Sequence, residues 1–156
     1  MDHSYDAICF DLFGTLVEED GSAIPGAVEA LAALTDRRWS IVTSCGTSFA
    51  RALLAHAGLP EPPVLVSSDD VPRTKPAPDP YSTAVRRLGV DAERALAIED
   101  SRHGIASGRA AGMDVLAVLR GRSVTYASEA MYVVDRLADV RFVAERDGTV
   151  RVTIAS

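Results

Sequence analysis

Residues 10–17 read Phe10-Asp11-Leu12-Phe13-Gly14-Thr15-Leu16-Val17. An apolar run, Tyr5–Phe10, stops at a single acid, Asp11, and the chain then turns on Gly14-Thr15. A buried strand that ends in a carboxylate followed by a glycine turn has the form of a catalytic loop.

Working outward, four more short apolar runs read as strands: Ser40–Thr43, Val64–Val66, Ala95–Ile98 and Val115–Val118. Segments of helical period lie between them. In Ala27–Arg38, the residues Val28, Leu31, Ala32 and Thr35 share a face; in Thr47–Ala57, Phe49, Leu53, Leu54 and Ala57 form a stripe that Gly58 ends. Pro80–Leu88 aligns Tyr81, Ala84, Val85 and Leu88, with Asp79 as its cap and Gly89 as its stop. Ser101–Ala111 is closed by Gly112. Strand alternating with helix at these lengths predicts an α/β fold, a parallel sheet with helices on both faces. Ligands of such sheets bind beyond the carboxyl ends of the strands. Asp11, Thr43 with Ser44, and Glu99 with Asp100 all fall there, and Lys75 falls in the loop after Val64–Val66.

The tail reads differently. Arg141–Arg146 and Thr149–Ile154 alternate apolar and polar residues around Asp147-Gly148, which predicts a C-terminal β-hairpin over about 141–154. No repeat or linker divides residues 1–156, so one domain is expected.

Composition narrows the function classes. A net charge of -6 and the lack of a basic cluster argue against nucleic acid as a partner. No apolar run approaches the length of a membrane span, and the N-terminus has no signal-peptide pattern. Cys9 and Cys45 are too few for a disulfide framework and read as free thiols, which points to the cytoplasm. Of the 16 basic residues, only Lys75 is a lysine, as if every other position tolerated arginine. Gly104, Gly108 and Gly112, spaced by four, clear one helix face for close packing on the sheet, and His103 reads as a surface histidine.

Four ordered segments carry a resemblance: Asp11-Leu12-Phe13-Gly14-Thr15, Thr43-Ser44, Thr74-Lys75-Pro76-Ala77-Pro78, and Ile98-Glu99-Asp100-Ser101 with Gly104 and Ala110-Ala111-Gly112-Met113. Together they resemble the four motifs of the haloacid dehalogenase (HAD) superfamily and span residues 6 to 118. The resemblance implies a three-layer, Rossmann-like core and a Mg²⁺-dependent phosphatase-like hydrolase acting through an aspartyl-phosphate intermediate. By the same resemblance Asp11 is the nucleophile, and Gly14, Thr43, Ser44 and Lys75 contact the phosphate of a small or medium phosphorylated substrate. Asp11, Asp100 and the main-chain carbonyl of Phe13 would hold Mg²⁺, with Glu99 reaching it through a water.

Two departures qualify that expectation. Phe13 stands where phosphatases of this family carry a second aspartate, the general acid and base, so a low intrinsic rate is expected. An aromatic there is similar to the dehalogenase branch, which uses no metal, whereas Glu99-Asp100-Ser101 points back to a metal-dependent phosphatase. Only 31 residues separate Asp11 from Thr43, too few for the cap domain that many members insert there. Leu16–Ile24 is expected to form a flap, the site to be open, and a homodimer to form through the site or the hairpin's free edge. Two alternatives stay open: a non-catalytic phosphate-binding or interaction protein, and a 2-haloacid dehalogenase.

Overall fold

The computed structural model describes residues 2–155. Nine strands and four α-helices follow one another: β1 (Asp2–Tyr5), β2 (Ala7–Phe10), α1 (Ala27–Ala32), β3 (Trp39–Val42), α2 (Thr47–Ala57), β4 (Val64–Val66), α3 (Asp79–Leu88), β5 (Ala95–Glu99), α4 (Arg102–Ala110), β6 (Asp114–Val118), β7 (Tyr132–Val134), β8 (Val140–Ala144) and β9 (Val150–Ile154). Six strands form one parallel sheet in the order β4-β3-β2-β5-β6-β7. The chain fills it outward from β2 in one direction, then returns to β5 and fills the other. The crevice created by that reversal opens at the carboxyl end of β2, where Asp11 stands.

Side-chain alternation along the strands divides the core into two layers. Ile8, Phe10, Ile41, Leu96, Ile98, Leu116 and Val118 pack on one face with α1 and α2. Ala7, Cys9, Ala95, Ala97, Val115 and Ala117 face the other way, against Tyr81, Ala84, Val85 and Leu88 of α3 and Ile105 of α4. The second layer is built from small residues, so its helices sit close to the sheet. At Gly108 an added Cβ would lie 2.9 Å from Val115 and 3.2 Å from Ala97. The expected glycine face therefore holds for Gly104 and Gly108. Gly112 lies beyond α4 in a left-handed turn (φ 88°) and serves chain reversal instead.

Several boundaries differ from expectation. Tyr5–Phe10 is two strands, not one: Tyr5 pairs with Val150 in an antiparallel sheet, and Ala7 begins the central parallel strand. The hairpin is present as β8 and β9, but β1 occupies the outer side of β9, giving a three-stranded sheet, β1-β9-β8. One edge of the hairpin is thus paired, and β8 remains an edge strand. Helix α1 ends at Ala32, and its buried face is Ala27, Ala30 and Leu31, continued by Leu34, with Val28 pointing to solvent. In α2, Ala50 and Leu54 are buried while Phe49 is 54% exposed. Asp79 is the first residue of α3 rather than its cap and makes an ion pair with Arg73. Strand β7 was not anticipated; it is three residues long and lies at one edge of the parallel sheet.

Residues 16–24 fold as a short β-loop in which Ile24 N–H donates to Leu16 O and Glu18 N–H donates to Ser22 O. Leu16, Val17 and Ile24 are buried beneath it. No helix among the described residues is long and apolar enough to cross a membrane.

Candidate active site

Three parallel neighbours deliver the site. Asp11 follows β2, Thr43 follows β3 and Asp100 follows β5, so hydrogen bonding between the strands fixes their relative heights. Thr43 N–H donates to Val66 O at 2.9 Å and Asp11 N–H donates to Ile98 O at 3.0 Å, extending the sheet by one residue at each point. Lys75 arrives from the loop between β4 and α3. A cavity of about 550 Å³ joins Asp11, Phe13, Thr43, Ser44, Lys75 and Asp100. That size suits a small ligand.

Lys75 is the hub of the site. Its side chain is 5% exposed, and Nζ donates to Asp11 Oδ1 at 2.8 Å, Val42 O at 2.8 Å and Glu99 Oε1 at 2.6 Å. These three acceptors use all three ammonium protons. Burial works against the charge, but Asp11 and Glu99 outweigh it, so the ammonium is held above its ordinary value and stays protonated. Arginine has no compact head that could serve these three acceptors at once, which accounts for the single lysine in an arginine-rich chain.

Beneath Lys75 lies a residue whose polar role the sequence reading missed. Tyr81 is fully buried on α3, and its hydroxyl donates to Glu99 Oε1 at 2.7 Å. Burial, followed by the charges of Glu99 and Asp11, raises its pKa well above the ordinary phenol value, so it remains a donor. The apolar stripe of α3 identified Tyr81 as core, and a buried phenol requires a polar partner. The partner could have been sought among the acids on that basis.

Glu99 is fully buried as well. Its carboxylate takes Lys75 and Tyr81 on Oε1 and the Asp100 N–H on Oε2. Burial, followed by Asp11, pushes the carboxyl up, while Lys75 and Tyr81 pull it back. Gly104 makes this arrangement possible: a Cβ there would lie 2.0 Å from Glu99 Cδ. Helix α4 can approach only because that position has no side chain. Ser101 caps the helix, its Oγ accepting the Gly104 N–H at 3.0 Å.

Asp100 completes the acidic group. One ligand oxygen from each of Asp11, Glu99 and Asp100 lies within 4.8 Å of the others. Burial, then the neighbouring Asp11, pushes the Asp100 carboxyl up to about 8. Such a shift marks an excess of negative charge that a cation would offset. Thr15, fully buried, places Oγ1 3.4 Å from both Asp11 Oδ2 and Asp100 Oδ1. The Phe13 carbonyl accepts no hydrogen bond among the described residues. These groups offer only oxygen and fit a hard divalent cation such as Mg²⁺.

Gly14 sits at φ 81°, and a Cβ on it would lie 2.1 Å from Asp100 Oδ2. Its place is against Asp100, in a neighbouring depression lined by Phe13, Glu19, Arg120 and Arg122, and not in the cavity with Lys75. Arg122 was not anticipated. It donates to Asp100 O at 2.9 Å and pairs with the Asp100 carboxylate at 3.5 Å.

On the phosphate side, Thr43 Oγ1 accepts the Cys45 N–H at 3.3 Å, and Ser44 makes no hydrogen bond among the described residues. Thr43's own N–H is committed to the sheet. His103 is exposed at the rim, in line with the sequence reading.

Comparison with known proteins gives the family. Over 131 residues the chain is 35% identical to Hexitol phosphatase A of Escherichia coli, covering 83% of this chain and 61% of that one. Over 146 residues it is 32% identical to Validoxylamine A 7'-phosphate phosphatase of Streptomyces hygroscopicus, covering 90% and 68%. The chain thus spans less than two thirds of the length of the first of these relatives. Among solved structures, CbbY from Rhodobacter sphaeroides in complex with phosphate superposes with a TM-score of 0.78 at 20% identity, over 86% of this chain and 96% of that one, a likeness of fold. Residues 14–118 match the family described as haloacid dehalogenase-like hydrolase, and the chain belongs to it.

Proposed function

We propose that the protein hydrolyses small phosphate monoesters through a covalent aspartyl-phosphate on Asp11. The observation that carries this reading is the state of Asp11. One of its oxygens is held at 2.8 Å by a buried lysine, in a cavity shared with Thr43, Ser44 and Asp100. A carboxylate fixed in this way is a competent nucleophile toward phosphorus. The relatives named as phosphatases of phosphorylated small molecules support the reaction class.

Asp11, Asp100 and the Phe13 carbonyl would hold Mg²⁺, with Glu99 one layer behind them. When bound, the cation supplies charge neutralisation between the Asp11 carboxylate and the incoming phosphate dianion. Lys75 holds Asp11 in place and adds a positive charge where charge builds on the phosphoryl oxygens. Thr43 and Ser44 bind and orient those oxygens. Glu99 and Tyr81 do not touch substrate; they fix the position of Lys75. Phe13 offers no proton to the leaving oxygen and takes none from the attacking water. General acid–base help is typically worth about 10²–10⁴ in rate, so turnover is slow. The two free cysteines are in keeping with a cytoplasmic setting.

The test is phosphate release from a panel of phosphate esters, with and without Mg²⁺, by the natural protein and by Asp11→Asn. Release that requires Mg²⁺ and disappears in Asp11→Asn is expected. Phe13 favours one second reading, a phosphate-binding protein without turnover. Inorganic phosphate binding with no release from any ester would select it.

A further inference from the structure

Two large aromatic rings at the site are left in solvent. Phe13 is 37% exposed and Phe49 is 54% exposed, and their centroids lie 6.1 Å apart with the planes tilted by 33°. Phe13 lies on the wall of the cavity that holds Asp11 and Lys75. Phe49 stands beside it on the first turn of α2, turned away from the core that Ala50 and Leu54 occupy. Sequence periodicity assigned Phe49 to the buried stripe, so its exposure is a feature of how the helix is set. Contiguous exposed apolar side chains next to polar catalytic groups mark a place where a ligand covers them.

The chemistry of the Phe13 side chain points to the same ligand. The residue two positions after Asp11 is this ring, so the oxygen leaving from its side receives no proton there. An alkoxide, the conjugate base of an acid about as weak as water, is a poor leaving group without that proton. A phenolate, with a conjugate acid near 10 as in tyrosine, departs far more readily.

We infer that the substrate's leaving group is an aromatic ring, an aryl phosphate seated against Phe13 and Phe49; this rests on the phosphatase reading and specifies its substrate class. The step balances simply. An Asp11 oxygen forms a bond to phosphorus as the phosphorus–aryl oxygen bond breaks, and the electron pair leaves on the phenolate. Water then attacks the aspartyl-phosphate, restoring the Asp11 carboxylate and giving inorganic phosphate. The phenolate takes up the proton that water loses. The rings contribute recognition through offset or edge contact with the aryl group, the geometry aromatic pairs prefer.

Binding separates recognition from leaving-group chemistry. With Mg²⁺ present, calorimetry on the full chain compares inorganic phosphate, phenylphosphonate and ethylphosphonate, none of which can release an alcohol. Phenylphosphonate is expected to bind at least about tenfold more tightly than ethylphosphonate, about 1.4 kcal/mol. In Phe49→Ala that ratio is expected to fall below about threefold. Phe49 is a surface residue of α2, so this variant removes little of the core, and Phe49→Tyr, which keeps a ring, should preserve the ratio. If inorganic phosphate binds but the two phosphonates bind equally, the aryl inference is overturned and the phosphatase reading stands. If Phe49→Ala converts a dimer to a monomer without changing the ratio, the rings serve a second copy of the chain and the inference is likewise overturned. If the natural protein binds neither phosphate nor phosphonate, both fall.

Discussion

Replacing Lys75 by methionine keeps most of the volume and apolar stem of the side chain while removing its charge. The consequence can be worked from the contacts. Among the described residues the ammonium is the only cation on Glu99, whose side chain is 0% exposed, and it also holds Asp11, 12% exposed, and the Val42 carbonyl. Removing one partner of a buried ion pair typically costs about 3–5 kcal/mol, because the other charge is stranded. Glu99 keeps its bonds from Tyr81 and the Asp100 N–H, which places the expected loss toward the lower end of that range. For a chain of 156 residues each kcal/mol corresponds to about 2–4 °C, so Tm should fall on the order of 10 °C. Adding Glu99→Gln removes the stranded charge while leaving an oxygen for the Tyr81 hydroxyl. It should therefore recover about 1–3 kcal/mol in the Lys75→Met background, while destabilising the natural protein, a sign reversal that identifies coupling between the two residues. The assay is urea unfolding of the four metal-free proteins by circular dichroism, with m-values compared to verify a common two-state transition. A loss below about 1 kcal/mol in Lys75→Met, or no recovery in the double variant, would refute the buried ion pair as the support of the site.

Four further outcomes are expected. Phe13→Asp should fold with little loss, since the ring is already partly in solvent, and should raise turnover of alkyl phosphates roughly tenfold or more, with a smaller gain on aryl phosphates, in steady-state assays; a folded, Mg²⁺-binding variant with no gain would mean that this side chain does not face the leaving group. Asp100→Asn should weaken Mg²⁺ at least about tenfold by calorimetry, and an unchanged affinity would place the metal elsewhere. The Asp100 carboxyl is raised to about 8 from 3.8, so between those values the native state holds a proton that the unfolded chain has released; metal-free stability should fall as pH rises from about 4 to 8, on the order of a few kcal/mol, and Mg²⁺ should stabilise more at pH 8 than at pH 5 in thermal melts. Cys9 is fully buried and its thiol is pushed up to about 12 by burial, so a thiol reagent should label one cysteine in the native protein, Cys45, and two after unfolding.

The parallel sheet was legible because five of its strands are short, mainly apolar runs bounded by polar turns, and because Asp11, Thr43 and Asp100 each follow such a run. Lys75 stood out by composition alone. Helix faces were less legible. Periodicity in 27–38 fits two stripes one residue apart, and what selects Ala27-Ala30-Leu31 is contact with the small antiparallel sheet, which local sequence does not contain. Phe49 was misplaced for the same reason, since a stripe of large apolar residues does not reveal that Ala50 faces the core. The roles of Tyr81 and Glu99 depend on α3, α4 and β5 meeting beneath Lys75, a contact over 18 to 24 residues that no local pattern encodes. The two strands hidden in Tyr5–Phe10 were missed because the boundary is one residue, Asp6, whose N–H turns to Arg94 O.

That boundary also bears on the order in which the molecule can be made. Strands β1 and β2 are adjacent in the chain, yet β2 pairs with β3 and β5, whereas β1 pairs with β9, with Asp2 opposite Thr153. Domains are assembled largely from the N-terminus during synthesis. Strand β1 must therefore wait for β9, while the parallel sheet can close once Val134 has emerged. Because contacts between distant parts of a chain form slowly, the nascent protein should hold a completed crevice before β1 finds its partner. Strand β9 then acts as a clasp.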